Sequence, residues 1–299
     1  MSSGGAKLAV MLPVTADARA LLDLARRAEE AGVDELWVAE DLGLHGGVAL
    51  SAAVLSATPS AHVGLGIAPA AARHPAFLAM QAATLAQLHP GRFRLGIGHG
   101  MPEWMRAIGA WPGSPLARLE ETMVVVRQLL AGEQVTLAGR EVQLEEVVLA
   151  HAPVDVPLFA GVRGPRSLEL AGRVADGLIL AGWAGPAYIE QARTVAEAAG
   201  GRRLRVVASA RFALDEADEG SSAVDRLTAD LARAGDVLDA MRLGGDGRSD
   251  DGVTSYGIAG DDADLHAGIA RWAAAGADVV LLDPLTPQDL EAALRSVAR

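Results

Sequence analysis

The chain contains no cysteine, which excludes a disulfide framework, a thiolate metal site and a thiol nucleophile. Lysine is nearly absent while alanine, glycine and arginine are abundant, a bias that fits a GC-rich bacterial genome. No stretch reaches the roughly 18 uninterrupted apolar residues of a transmembrane helix. The polar lead Met1-Ser2-Ser3-Gly4-Gly5-Ala6 lacks the basic region and long apolar run of a signal peptide, so a cytoplasmic protein is expected. There is no Gly-x-Ser-x-Gly elbow and no Walker loop, which leaves hydrolase and NTPase readings without support. Basic patches are missing too. With 26 basic against 38 acidic side chains the formal charge is −12, which argues against nucleic acid or an anionic membrane as partner.

What is present is apolar and periodic. Of 299 residues, 51% are hydrophobic, enough for a sizeable core. Short continuous apolar runs alternate with helical stretches of ten or more residues. The runs are Leu8–Leu12, Val33–Ala39, Val63–Ile67, Phe93–Ile97, Pro157–Ala160, Gly177–Leu180, Leu204–Leu214 and Ala277–Leu282. This pattern predicts a parallel sheet covered by helices. Eight such units within about 300 residues predict an α/β fold, a (β/α)8 TIM barrel forming one domain over 1–299. A doubly wound sheet is the alternative, but Pro13-Val14-Thr15 stands where its glycine-rich turn would follow the first strand. Residues 133–145 predict a hairpin about Ala138-Gly139-Arg140, an insertion after strand four. A helix is expected over 221–241, and 244–252 is a low-complexity segment.

Function in such a barrel lies at the C-terminal strand ends. Those ends carry Pro13; Glu40, Asp41 and His45; Ala68-Pro69 with Arg73-His74; Gly98-His99-Gly100 with Glu103-Trp104; Gly161 to Arg166; Ala181-Gly182-Trp183; Arg211; and Asp283. The turn Gly161-Val162-Arg163-Gly164-Pro165-Arg166 opens a helix at Pro165, where free N–H groups attract an anion. Arg163 and Arg166 add positive charge, so the turn reads as a phosphate site or as a plain βα turn with solvated arginines. Gly98-His99-Gly100 lets backbone approach a partner closely, or is merely a turn with a surface histidine. Glu40 and Asp41 point opposite ways on a strand, so one carboxylate faces the mouth as acid/base or cofactor ligand while a helix cap is the other use. His45, His74 and His99 show no metal-ligand spacing, and no metal site is expected. Trp104, Trp111 and Trp183 fall in mouth loops, where they could stack on a ring or pack between loops; Trp37 and Trp272 read as core.

Four stretches together resemble the luciferase-like monooxygenase superfamily, in its flavin- and coenzyme F420-dependent oxidoreductase branch. They are AGVDELWVAED (31–41), VGLGIAPAAARHPAFLAMQAATLAQLHPGRFRLGIGHG (63–100), SPLARLEETMVVVRQLLAGEQVTLAGREVQL (114–144) and VPLFAGVRGPRSLELAGRVADGLIL (156–180). The resemblance implies a barrel with an insertion after strand four, usually a homodimer, and a flavin or deazaflavin at the mouth. It implies a non-prolyl cis peptide near Gly66-Ile67-Ala68 behind the ring. Backbone of Gly98, His99 and Gly100 would line the ring or ribityl chain, and Gly161, Val162, Arg163, Gly164 and Pro165 would take the phosphate. The Arg-His-Pro and Gly-x-Arg-Gly-Pro segments favour coenzyme F420 over FMN. Members that oxidise alcohols carry Asp-His after strand two and Glu after the strand-four glycines; here Glu40-Asp41 and Met101 stand there. The expectation is hydride transfer between F420 and a small organic substrate, with Asp41, His99 and Glu40 as catalytic candidates and His45, Glu103, Trp104 and Trp183 around the substrate. The alternatives are an FMN-dependent monooxygenase fed by a flavin or F420 reductase, and a non-catalytic flavin-binding barrel.

Overall fold

The computed structural model describes residues 5–217, 220–234 and 252–298. The expected α/β barrel is present. Strands β1 (Lys7–Met11), β2 (Glu35–Val38), β3 (His62–Pro69), β4 (Phe93–Gly98), β7 (Leu158–Gly161), β8 (Gly177–Leu180), β9 (Arg205–Leu214) and β11 (Val279–Pro284) pair in parallel in that order, and β11 closes onto β1. Helices between them cover the outside: α1 (Ala18–Glu30), α2 (Gly47–Ala57), α3 (Pro75–Leu88), α4 (Pro102–Ala107), α5 (Pro115–Leu130), α6 (Pro165–Val174), α7 (Pro186–Gly200), α8 (Ala223–Arg233), α9 (Asp262–Ala274) and α10 (Pro287–Val297). Among the described residues no helix is long and apolar enough to cross a membrane.

The predicted insertion is the antiparallel hairpin β5 (Val135–Ala138) and β6 (Gln143–Val147). Glu121 of α5 anchors its turn by accepting from the Arg140, Glu141 and Val142 N–H groups at 2.8–2.9 Å. Two elements were not expected. One is α4, inside the long loop after β4. The other is β10 (Gly257–Gly260), which pairs with the outer half of β9, Arg211 to Leu214. Because β9 is ten residues long, its first half pairs with β8 and its free upper edge accepts this extra strand. The expected helix over 221–241 is observed as α8; its last residues, and all of the low-complexity segment but Gly252, lie outside the described residues.

Alternate strand residues point into the barrel. Ala9, Trp37, Phe159, Ile179, Val207, Val279 and Leu281 form this inner core. Trp37 is fully buried and meets Phe159 edge-on at 5.7 Å. Below it, at the N-terminal end, lies Glu35, also fully buried. Its carboxylate accepts the Trp37 indole N–H at 3.4 Å and pairs with Arg94 at 3.2 Å and with Arg205. One carboxylate therefore holds two guanidiniums together, and Arg94 is itself buried.

Removing that carboxylate leaves the two cations facing each other without a counter-charge. Glu35→Leu should cost about 3–5 kcal/mol in urea denaturation. The double variant Glu35→Leu/Arg94→Leu should recover part of the loss, and equal stability of Glu35→Leu and wild type would refute the assignment.

Candidate active site at the C-terminal mouth

One half of the mouth is built on Ile67. The Gly66–Ile67 peptide bond is cis, where the resemblance places one, and the pairing of β3 with β4 slips between Leu65 and Ala68. The Ile67 side chain turns into the barrel and lies on bare backbone. A Cβ at Gly96, Gly98 or Gly161 would stand 3.2, 3.1 or 2.3 Å from it. These glycines therefore empty the space that Ile67 fills. Gly100 has φ +75°, the left-handed region that favours glycine, and a Cβ there would press on Pro69.

Beside this platform α6 begins. Gly164 is its N-cap and brings no side chain to the first turn, with Pro165 next in line. A Cβ on Gly164 would meet nothing within 4 Å. Arg163 precedes it. One guanidinium nitrogen donates to the Ala181 carbonyl at 3.2 Å, while Nε is buried with no hydrogen-bond partner. No carboxylate pairs with this cation among the described residues, and burial pulls its pKa below the ordinary arginine value. The Tyr188 hydroxyl fixes the turn by donating to the Arg163 carbonyl at 2.7 Å. Val162 is buried and Arg166 exposed. His99, after β4, shares a hydrogen bond with Ser167 in the first turn of α6 at 3.0 Å. Its Nδ1 is buried on the side of the Pro115 carbonyl. Burial lowers the imidazole pKa, and the Pro115 carbonyl offsets this only in part. Uncapped N–H groups, an unpaired guanidinium and open space above Gly164 fit a phosphate group.

The other half of the mouth is charged. Asp283 ends β11 and accepts from Ser209 at 3.3 Å and Arg211 at 2.9 Å, both on β9. Arg211 also donates to Asp230 of α8 at 3.0 Å and to the Pro284 carbonyl at 2.9 Å. Burial raises the Asp283 pKa against the pull of Arg211. Asp41, in the loop after β2, has no hydrogen bond to its carboxyl among the described residues. Burial raises its pKa, and the charge of Asp283 raises it further.

The two neighbouring carboxylates, both in the loop after β2, have different surroundings. Glu40 accepts from the Gly47 N–H at the start of α2 at 3.0 Å and pairs with Arg73, so its carboxylate is committed to holding loops, the helix-cap use. His45 reaches the Ala16 carbonyl at 2.9 Å and joins the loops after β1 and β2. Glu103 is exposed and Trp104 half-buried on α4, and Arg106 lies over Trp111 at 4.9 Å. Trp183 is only 4% exposed and packs in the core beside Gly257 of β10, with positive φ at both Gly182 and Trp183. The charged set of Ser209, Arg211, Asp230 and Asp283 was visible in sequence only as two isolated strand ends. Alternate polar residues at 209 and 211 within an apolar strand were the available signal.

A family model described as luciferase-like monooxygenase matches residues 4–279. An F420-dependent glucose-6-phosphate dehydrogenase from Nakamurella multipartita is 35% identical over 172 residues, covering 53% of this chain and 51% of the relative. A 5,10-methylenetetrahydromethanopterin reductase from Methanolobus tindarius is 31% identical over 156 residues, 52% of this chain and 48% of the relative. The matched stretch thus spans about half the length of these relatives. An F420-dependent secondary alcohol dehydrogenase, solved with an F420-acetone adduct, superposes with a TM-score of 0.81 at 20% identity over 99% of both chains, a likeness of fold.

The Ile67 platform makes a steric prediction. Gly161→Ala should lose about 1–3 kcal/mol to overpacking. Adding Ile67→Ala should cost less than the sum of the two single changes. Strict additivity in urea denaturation would show that Ile67 does not occupy the space beside Gly161.

Proposed function

The chain belongs to the luciferase-like monooxygenase family, and from that premise we propose that it is a coenzyme F420-dependent oxidoreductase acting on a small organic substrate. The observation that carries this reading is the unpaired Arg163 guanidinium beside the uncapped start of α6, next to a side-chain-free platform. When bound, the deazaflavin supplies hydride chemistry, and the protein supplies placement and electrostatics. Backbone of Gly161 to Pro165 and the Arg163 side chain hold the phosphate. Gly66, Ile67 and Ala68 form the support behind the ring, with Gly98, His99 and Gly100 beside it. His99 is neutral and orders the first turn of α6 through Ser167. Asp41, whose carboxyl pKa is raised by burial and by the charge of Asp283, is the proton donor to the substrate in this reading. His45, Glu103 and Trp104 stand at the rim.

The same anion cradle suits any phosphate-bearing flavin, which supports the second reading, an FMN-dependent monooxygenase supplied by a reductase. We place the protein in the cytoplasm as a homodimer. Support for the dimer is the exposed stripe Phe77, Met80 and Leu88 along one face of α3. The deciding experiment is thermal unfolding with each cofactor: F420 should raise Tm at concentrations where FMN does not. The reverse order would favour the monooxygenase.

Two variants test the roles of residues. Gly164→Val should fold as wild type, because its Cβ meets open space, yet bind F420 at least about tenfold more weakly in a fluorescence titration. Unchanged affinity in the folded variant would sink the phosphate assignment.

Asp41→Asn should slow hydride transfer by about 10²-fold. It should also alter stability in a set direction. A carboxyl whose pKa is raised by folding stabilises the protein fully below its unfolded value and loses that contribution as pH rises through the folded value. The amide of the variant does not ionise and escapes that loss. The variant should therefore unfold at a higher temperature than wild type at neutral pH, and the gap should close as pH falls. A gap independent of pH, or a wild-type rate, would remove Asp41 from the mechanism.

A further inference from the structure

The rim of the mouth carries large apolar side chains in solvent. Leu42 and Leu44, in the loop after β2, are 48% and 47% exposed; Met101 and Ile108, bracketing α4, are 37% and 47% exposed. Both loops are held firmly. His45 ties the first to the Ala16 carbonyl, and the Glu40 carboxylate pins it from behind through Gly47. Met105, buried beneath α4, anchors the second against the Gly100 turn. Exposed apolar side chains on held loops beside a site offer surface for an apolar ligand to cover.

Charge narrows the ligand further. Asp283 is held by Arg211, and the other cations near the mouth are engaged as well. Arg211 serves Asp230 and Asp283, and Arg73 serves Glu40. Arg118 donates to the carbonyls of Ala70, Arg73 and Glu141. Arg163 is assigned above to the cofactor phosphate. Arg106 stacks on Trp111 and is exposed, where a contact to an anion is screened by water. A substrate bearing its own phosphate or carboxylate would find, among the described residues, no buried guanidinium left to neutralise it.

We infer that the substrate is a neutral, largely apolar acceptor, a conjugated carbonyl or imine without an anionic group, seated between the loops after β2 and β4. This rests on the F420 reading and departs from the sugar phosphate in the name of the Nakamurella relative. Reduction of such an acceptor balances as follows. Two electrons and a proton enter as hydride from the reduced cofactor, which is thereby oxidised. A second proton comes from the Asp41 carboxyl; the acceptor's π bond breaks and two bonds to hydrogen form.

The test uses a matched pair, benzylideneacetone and its 4-carboxylate, with binding measured by calorimetry on the full chain with and without F420. The neutral ketone should bind at least about tenfold more tightly than the carboxylate. Leu44→Asp should weaken binding of the neutral ketone by about tenfold while leaving F420 affinity unchanged, since Leu44 is exposed and remote from the α6 turn. Equal or tighter binding of the carboxylate overturns the inference, as does failure of the neutral ketone to bind, or an indifferent Leu44→Asp. A failure of the F420 reading is seen separately, as absence of F420 binding to wild type, while the preference between the probes is still read on the cofactor-free protein.

Discussion

A closed eight-stranded barrel has a fixed interior, and two side chains dominate how this one is filled. Trp37 occupies the axis and Ile67 lies above it. Neither would fit if the neighbouring strands carried side chains. A Cβ at Gly64 or Gly66 would stand 2.4 or 2.9 Å from the Trp37 indole, and Gly96, Gly98 and Gly161 stand in the same relation to Ile67. Interiors pack to crystal-like density, so bulk at one position demands its absence at another. The smooth backbone at the mouth is thus a consequence of packing first. Its use as a platform for a flat ring follows from the same emptiness.

This arrangement also segregates charge. Glu35, Arg94 and Arg205 sit at the floor, Asp41 and Asp283 at the mouth, and the apolar layer of Trp37, Phe159 and Ile179 lies between. At the floor, cations outnumber the carboxylate. At the mouth, Arg211 divides its donors among Asp230, Asp283 and a carbonyl, so desolvation of Asp283 outweighs the compensation it receives. Asp41, which has no cation of its own, is raised first by its own burial and then by the charge of Asp283. The electrostatic character of the site is decided by how far one guanidinium is shared.

Much of the barrel was legible because a parallel strand buried on both faces reads as a short apolar run, and Pro or Gly opens most of the helices. The α6 turn was legible for the same local reason: Gly164 and Pro165 announce a helix N-terminus. What could not be read depends on partners distant in sequence. β10 is only Gly-Ile-Ala-Gly, too short for any period, and exists because β9 overshoots β8. Trp183 is placed by a left-handed turn that no periodicity signals in a non-glycine residue. The glycines at 98 and 161 were read as room for a ligand, since nothing local says that a side chain from β3 fills the space. Glu40 and Asp41 could be separated only in principle, by alternation, until Gly47 and Arg73 showed which one was engaged.

That separation bears on the chemistry. Where alcohol-oxidising members of the family carry Asp-His, this chain has Glu40-Asp41. A histidine there can exchange protons near neutrality without help. An ordinary aspartate is ionised at that pH and can only accept. For a carboxyl to hold a proton in such a place its pKa must be pushed upward, by burial or by a second negative charge. Asp41 has both, and the second charge is Asp283, which is kept in position by Ser209 and Arg211. If Asp41 is the proton donor proposed above, the far side of the barrel takes part in the proton chemistry through Asp283. A reductase that needs one proton per hydride can work with a single raised carboxyl, whereas alcohol oxidation asks for a base that is free at the start. The charged half of the mouth, taken with the missing histidine, favours reduction as the direction of the reaction.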